Sequence, residues 1–289
     1  MEDNYRNCYL HNWYSEFENL TIKSRFFELP SGVRNFILNT PFIIPKNLLE
    51  IADENYDLRH LDSLVNDTLA QFKPSRSVIV KLNSSTLDDV SYMVMNSEVT
   101  DTMSLIKLLK ASNKASYEFV SPFSIIDSKE TNDTFVIGFR EIIDIKPKGE
   151  FRLFFKSSKL YAISQRYLDF KLVNDSETKN GIISWVNRWL KLHTLPCSDI
   201  VIDVYVRGTK GEQRDILILD MEPLNEFTNM LLVDQKNPSD EVTLYTLERD
   251  NVPIQSRADV ESRYPLELTA ALAGDKNAIE LLKEIGLKI

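Results

Sequence analysis

Two apolar strings, DIVIDVYV (199–206) and DILILDME (215–222), restrict the fold most narrowly. Each reads as a strand, and the polar RGTKGEQR between them reads as the connection of a hairpin. Side chains alternate between the faces of a strand. On that rule Ile216, Ile218, Asp220 and Glu222 share one face of the second string. Val201, Asp203 and Tyr205 share one face of the first. Pairing then brings Asp203 to Asp220 and Glu222. Three carboxylates so gathered repel one another and lose hydration, which is costly without a partner. Mg²⁺ relieves both problems, because it takes oxygen ligands, usually one or two carboxylates plus substrate phosphates. The plain alternative is acids at strand ends pointing into water, and spacing alone leaves the two readings open.

The surrounding sequence supplies more strands. TFVIGFREIIDI (134–145) is rich in β-branched and aromatic residues, and SVIVKLN (77–83) reads as a further strand. EFRLFFK (150–156) and KLYAISQR (159–166) read as a hairpin joined through Ser157 and Ser158. Residues 31–73 look helical, with SLVNDTLAQF at helical spacing. STLDDVSYMVMN (85–96), with its Ser/Thr cap and early acids, predicts the opening of a helix. TDTMSLIKLLKAS (100–112) fits helix or strand. TKNGIISWVNRWLKLH (178–193) is an amphipathic helix whose Trp185 and Trp189 read as core rather than as a stacking platform. The tail from about 235 is polar and ends in a helical DKNAIELLKEIGL. Several hairpins in a mixed chain point to an α+β fold with mainly antiparallel sheets.

Basic residues interrupt these strings. In EFRLFFK, Glu150, Arg152, Phe154 and Lys156 share a face opposite Phe151, Leu153 and Phe155. Lys81 breaks VIVKLN, Lys107 and Lys110 lie in LIKLLKAS, and Arg140 breaks FVIGFREII. Each alone reads as a snorkelling surface residue. Together with an acid trio they form the combination a Mg²⁺-bound triphosphate needs, cations on phosphate oxygens and acids on the metal.

Composition excludes several alternatives. The formal charge of −9 argues against general nucleic-acid backbone binding. Only 8 glycines occur, with neither GxGxxG nor GxxxxGK[ST], which removes the dinucleotide-binding and P-loop readings. Three scattered histidines disfavour a histidine metal site or a Ser-His-Asp triad. Two cysteines far apart in sequence argue against a disulfide framework and for a reducing compartment. MEDNYRNCYLHNWY has no apolar signal region, and no stretch reaches the ~20 apolar residues of a membrane span. The expectation is a soluble, cytoplasmic monomer.

Taken jointly, WYSEF (13–17), TIKSRFFELP (21–30), VIVKLNSSTLDDVSYMVMNS (78–97), LIKLLKASNKASYEFVSPF (105–123), EFRLFFKSSKLYAISQRY (150–167) and DIVIDVYV…DILILDMEPLNEFTNMLL (199–232) resemble the cell division cycle protein 123 family. That resemblance implies an ATP-grasp fold of two lobes, an N-terminal one over 1–140 and a C-terminal one over 141–289, with a nucleotide cleft between them. It implies ATP and Mg²⁺ as cofactors. Lys81 and Lys110 would bind the nucleotide. Arg140, Glu141, Ile142 and Ile143 would form the segment passing the adenine. Arg152 would contact phosphate, Arg166 would be a phosphate or substrate-side residue, and Asp203, Asp220 and Glu222 would hold the metal. It names no catalytic residue.

Departures accompany the resemblance. Glu222 stands where the family usually has Asn, in Asp-Met-Glu-Pro-Leu rather than Asp-Phe-Asn-Pro-Phe. Asn83-Ser84-Ser85-Thr86-Leu87 replaces Asn-Trp-Ser-Ala-Pro, Ala111-Ser112-Asn113 replaces Ser-Ser-Asp, and Tyr167 replaces an Asp. The implied function is assembly of eukaryotic translation initiation factor 2, through binding of its gamma subunit. An ATP-dependent carboxylate–amine ligase or related transferase is the alternative, and a nucleotide-bound module without turnover a third.

Overall fold

The computed structural model describes residues 2–39, 58–90, 97–120, 134–168, 171–172, 176–207, 215–226, 228–233 and 241–247. The expected C-terminal helix and the second half of the 85–96 string lie outside them. In chain order the helices are α1 (Glu2–Asn7), α2 (Leu10–Phe17), α3 (Ser31–Asn39), α4 (Leu58–Leu69), α5 (Thr102–Ala111), α6 (Asn113–Val120) and α7 (Ser176–Trp189). The strands are β1 (Ser24–Glu28), β2 (Val78–Lys81), β3 (Val136–Glu141), β4 (Glu150–Lys156), β5 (Lys159–Gln165), β6 (Ile200–Arg207), β7 (Asp215–Pro223) and β8 (Thr243–Tyr245). The described residues fall into two compact units, one from those up to Ser24 together with those from Ile143 onward, the other from those between Arg25 and Ile142.

The unit containing 25–142 carries a three-stranded sheet in the order β1-β3-β2. β2 and β3 run antiparallel, with Val80 opposite Phe139 and Lys81 opposite Gly138. Val78, Val80, Ile137 and Phe139 supply one face to an apolar core completed by Val33 and Phe36 of α3, Leu61 and Val65 of α4, and Leu105 and Leu109 of α5. The ambiguous 100–112 string is a helix because its start is capped. Asp101 Oδ1 accepts from Ser104 N at 2.7 Å, and Ser104 Oγ accepts from Asp101 N at 3.1 Å, a reciprocal box that satisfies otherwise unpaired donors. The string expected to open a helix at 85 makes only a short 3₁₀ turn, Asp88–Val90, within its described residues.

The other unit is built on a five-stranded sheet, β7-β6-β4-β5-β8, antiparallel except for the parallel β5–β8 edge. The β4–β5 hairpin turns on Ser157 and Ser158, with Lys156 opposite Lys159. Both serines have positive φ (50° and 59°), the two-residue turn geometry whose twist matches the flanking strands. Asp199 Oδ1 and Ser198 O accept their backbone N–H groups at 2.7 Å each, which holds this left-handed turn in place. In α7, Trp185 and Trp189 are buried and stack at 5.1 Å, as core residues.

The β6–β7 pairing corrects one expectation. Asp203 faces Asp220, but the next pair is Val204 with Ile218. Leu219 is an extra residue, a β-bulge that reverses the alternation. Ile216 and Ile218 therefore lie on the face opposite Asp220 and Glu222 rather than beside them. The bulge keeps Asp220 and Glu222 on the face of Asp203 and Val201.

Candidate functional site

Register assembles a polar row across the five-stranded sheet. Asp220 on β7 is opposite Asp203 on β6, Asp203 is opposite Arg152 on β4, and Arg152 is opposite Ser164 on β5. Cross-strand partners share a face, so these side chains stand side by side. The apolar neighbours on the same face, Phe154, Ala162 and Val201, pack with Val233 and flank the row on one side. The polar residues are thus set into an apolar surface, where unpaired charge would be expensive.

Arg152 resolves the charge. Its Nε donates to Asp203 Oδ1 at 2.7 Å and its Nη2 to Asp203 Oδ2 at 2.8 Å. Its Nη1 donates to Asn229 O at 3.0 Å and lies 2.9 Å from Glu222 Oε1. Arg166 adds a contact of 3.2 Å from Nε to Asp203 Oδ2. Burial works against the charge on both Arg152 and Asp203, and the pairing overrules it. Asp203 and Glu222 keep the guanidinium above its ordinary value, and Arg152 and Arg166 hold the Asp203 carboxyl below its own.

Glu222 behaves differently. Burial lifts its carboxyl, Arg152 opposes, and Asp203 and Asp220 lift it further. The side chain as a whole keeps 45 % exposure, yet Oε1 is enclosed and makes no hydrogen bond of good geometry. The enclosed oxygen, not the exposed remainder, carries the effect. Two guanidiniums against three carboxylates leave an excess of negative charge. Nearby Glu150, on β4, is pushed up to about 7 by burial, with Arg166 opposing and Asp203 assisting.

In the other unit, Lys81 and Arg140 share the face of the β2–β3 pair that points away from the apolar core, since Ile79 is opposite Arg140 and Lys81 opposite Gly138. Lys81 is only 1 % exposed and its Nζ donates to Ser84 O at 2.8 Å. Lys110 sits in the last turn of α5, its Nζ 4.6 Å from the centre of the Phe36 ring and 3.4 Å from Phe36 O. Burial lowers its pKa. Glu141 ends β3, Ile142 is exposed, and Ile143 packs against the cluster of Ile22, Leu217 and Leu219.

The D123 family profile matches residues 47–271, more than half of the chain. The chain belongs to the D123 family. A "Translation initiation factor eIF2 assembly protein" of Xenopus tropicalis is 25 % identical over 312 residues, covering 93 % of this chain and 92 % of that one. Its namesake in Schizosaccharomyces pombe is 24 % identical over 311 residues, covering 96 % and 93 %. The solved structure of Cdc123 from Schizosaccharomyces pombe superposes with a TM-score of 0.66 at 23 % identity, over 84 % of this chain and 97 % of that one.

In this D123 protein the three acids expected to hold a metal are gathered on one face but are not equivalent. Both oxygens of Asp203 are engaged by guanidiniums. Among the described residues, no group of three or more His, Cys, Asp or Glu side chains is arranged to hold a metal. The donor chemistry fits Mg²⁺ at Asp220 and Glu222, because two carboxylates with phosphate oxygens suffice for that ion. Glu222 Oε1 is enclosed, ion-paired to the Arg152 guanidinium 2.9 Å away, and on the same face of the strand as Asp220.

Sequence reasoning missed two residues that shape the Lys81 segment of this D123 fold. Glu118, buried on α6, accepts from Ser84 N (3.1 Å), Ser84 Oγ (2.9 Å) and Ser85 N (3.0 Å). Its spacing with Ala115 and Phe119 places it on the inward face of the helix, and that was the available signal. Asn83 accepts from Val136 N at 3.0 Å and donates to Thr134 O at 3.2 Å, imitating a strand at the start of β3.

Proposed function

We propose that this protein is an ATP- and Mg²⁺-binding assembly chaperone for eukaryotic translation initiation factor 2, acting in the cytoplasm through the factor's gamma subunit. The observation that carries the reading is the near end-to-end match to relatives named for assembly of that factor. The formal charge of −9 suits a partner with basic patches.

On this reading, Lys81 and Lys110 bind the nucleotide, and Arg140, Glu141, Ile142 and Ile143 pass its base. Arg152 and Arg166 face phosphate. Asp220 and Glu222 hold Mg²⁺, while Asp203 fixes Arg152 and would reach the metal only by releasing a guanidinium. Bound Mg²⁺ would supply charge neutralisation for the phosphates. The protein's own part is orientation: Arg152 is locked by Asp203 and Asn229 O, and the Lys81 segment is fixed by Glu118.

Co-expression with tagged gamma subunit tests the proposal. Capture of this chain on the gamma subunit, and more alpha–gamma complex when the chain is present, is the expected result. Failure to bind the gamma subunit with ATP and Mg²⁺ supplied would overturn it. ADP release dependent on an added acid and amine would instead identify a ligase.

A further inference from the structure

The chain has two cysteines, 189 positions apart in sequence, and the fold places them together. Cys8 lies between α1 and α2, and Cys197 in the segment entering β6. Both are buried free thiols, with Sγ atoms 3.7 Å apart. The surrounding backbone holds the pair in register. Asn7 Nδ2 donates to Pro196 O at 3.3 Å, Trp13 Nε1 donates to Cys8 O at 3.1 Å, and the Cys197 thiol donates to Asp199 O at 3.3 Å until it ionises. A disulfide needs about 2.05 Å between sulfurs, so closing the gap takes a shift of ~1.6 Å, within side-chain rotation and a small loop adjustment.

We propose that Cys8 and Cys197 form an oxidative modification site, converted by a peroxide into an intramolecular disulfide that ties the α1–α2 junction to the segment entering β6. Cys197 is the attacking thiolate. Either sulfur can donate across the 3.7 Å contact. With the Cys8 S–H as donor, the Cys197 pKa is lowered against the opposing effects of burial and Asp199, and the same contact raises that of Cys8. The Cys197 sulfur attacks one peroxide oxygen, the O–O bond breaks, and hydroxide leaves and takes up a proton as water. Cys197 is then a sulfenic acid. The Cys8 sulfur attacks it, the S–S bond forms, the S–O bond breaks, and a second water leaves with the Cys8 proton. Two thiols are oxidised and one peroxide is reduced to two waters.

The pair also bears on the acid row, since Asp220 and Glu222 act electrostatically on Cys8. Tyr5 of α1 accepts from Asn225 Nδ2 at 2.7 Å, just beyond Glu222 and Pro223. A disulfide would fix α1 against that end of β7.

The test uses the full chain and hydrogen peroxide. The native chain and the urea-unfolded chain are oxidised in parallel, alkylated without reductant and mapped by mass spectrometry. The expected result is loss of both free thiols in a monomer that has lost two hydrogens. A single Cys8–Cys197 linked peptide should appear faster in the native chain than in the unfolded one and revert with dithiothreitol. C197S should yield no internal cross-link. Persistence of two thiols, separate sulfinic or sulfonic acids, links between molecules, or equal rates in native and unfolded chains would each overturn the proposal.

Discussion

Arg152 and Asp203 meet as a two-pronged fork, Nε to Oδ1 at 2.7 Å and Nη2 to Oδ2 at 2.8 Å, directly across the β4–β6 register. Both partners are buried, so removing one breaks the fork and leaves the other with weaker support, Glu222 and Asn229 O for Arg152 or Arg166 for Asp203. Asp203→Ala is expected to cost about 3–5 kcal/mol in urea unfolding. Arg152→Lys should also destabilise, because an ammonium cannot reproduce the fork. A loss below ~1 kcal/mol for Asp203→Ala would put the pair in the class of exposed ion pairs and contradict this account.

Glu150 makes stability depend on pH. Its carboxyl titrates at about 7 in the folded chain against an ordinary 4.5. Between those values the folded state keeps a proton that the unfolded state has released. This contribution therefore stabilises the fold at low pH and is lost as pH rises from 4.5 to about 7. Urea midpoints measured across that window should fall less steeply for Glu150→Gln than for the natural chain. Parallel curves would show that Glu150 titrates normally.

Gly149 lies where the chain passes Tyr205 closely. A Cβ there would sit 2.5 Å from Tyr205 Cε2 and 3.1 Å from Val206 O. Gly149→Ala should destabilise by about 1–3 kcal/mol, as overpacking does. The penalty should shrink when Tyr205 is also Ala. A neutral Gly149→Ala in thermal unfolding would mean that the ring moves aside freely.

Much of this architecture was legible in the strings themselves. The Ser157–Ser158 hairpin, the β6–β7 pairing and the packed Trp185–Trp189 face all follow from alternation or helical spacing. The Leu219 bulge does not, because DILILD alternates as well without it as with it, and only pairing to β6 reveals the extra residue. The acids thus reached the expected face, but Ile216 and Ile218 did not share it. TDTMSLIKLLKAS stayed ambiguous because its apolar residues satisfy two periods; the decision rests on the Asp101–Ser104 cap. Glu118 escaped notice because its partners, the backbone N–H groups of Ser84 and Ser85 and the Ser84 hydroxyl, come from a segment distant in sequence. The parallel β5–β8 edge is likewise a long-range pairing that no local pattern encodes.

Glu118 offers a further check. As a buried acceptor for three donors it should tolerate Gln poorly, since the amide NH₂ would face backbone N–H groups. Glu118→Gln is expected to cost roughly 1–3 kcal/mol in chemical unfolding. An unchanged midpoint would show that the Ser84–Ser85 segment is held by other contacts.

The most direct test of the central claim, that the β7 carboxylates carry a Mg²⁺-bound nucleotide, is calorimetric titration of ATP with and without Mg²⁺. The natural chain should bind more tightly with the ion, and Asp220→Ala and Glu222→Ala should each weaken that binding by at least roughly tenfold, about 1.4 kcal/mol, while unfolding normally. Equal ATP affinity in the Asp220→Ala chain, or no dependence on Mg²⁺ in the natural one, would contradict it.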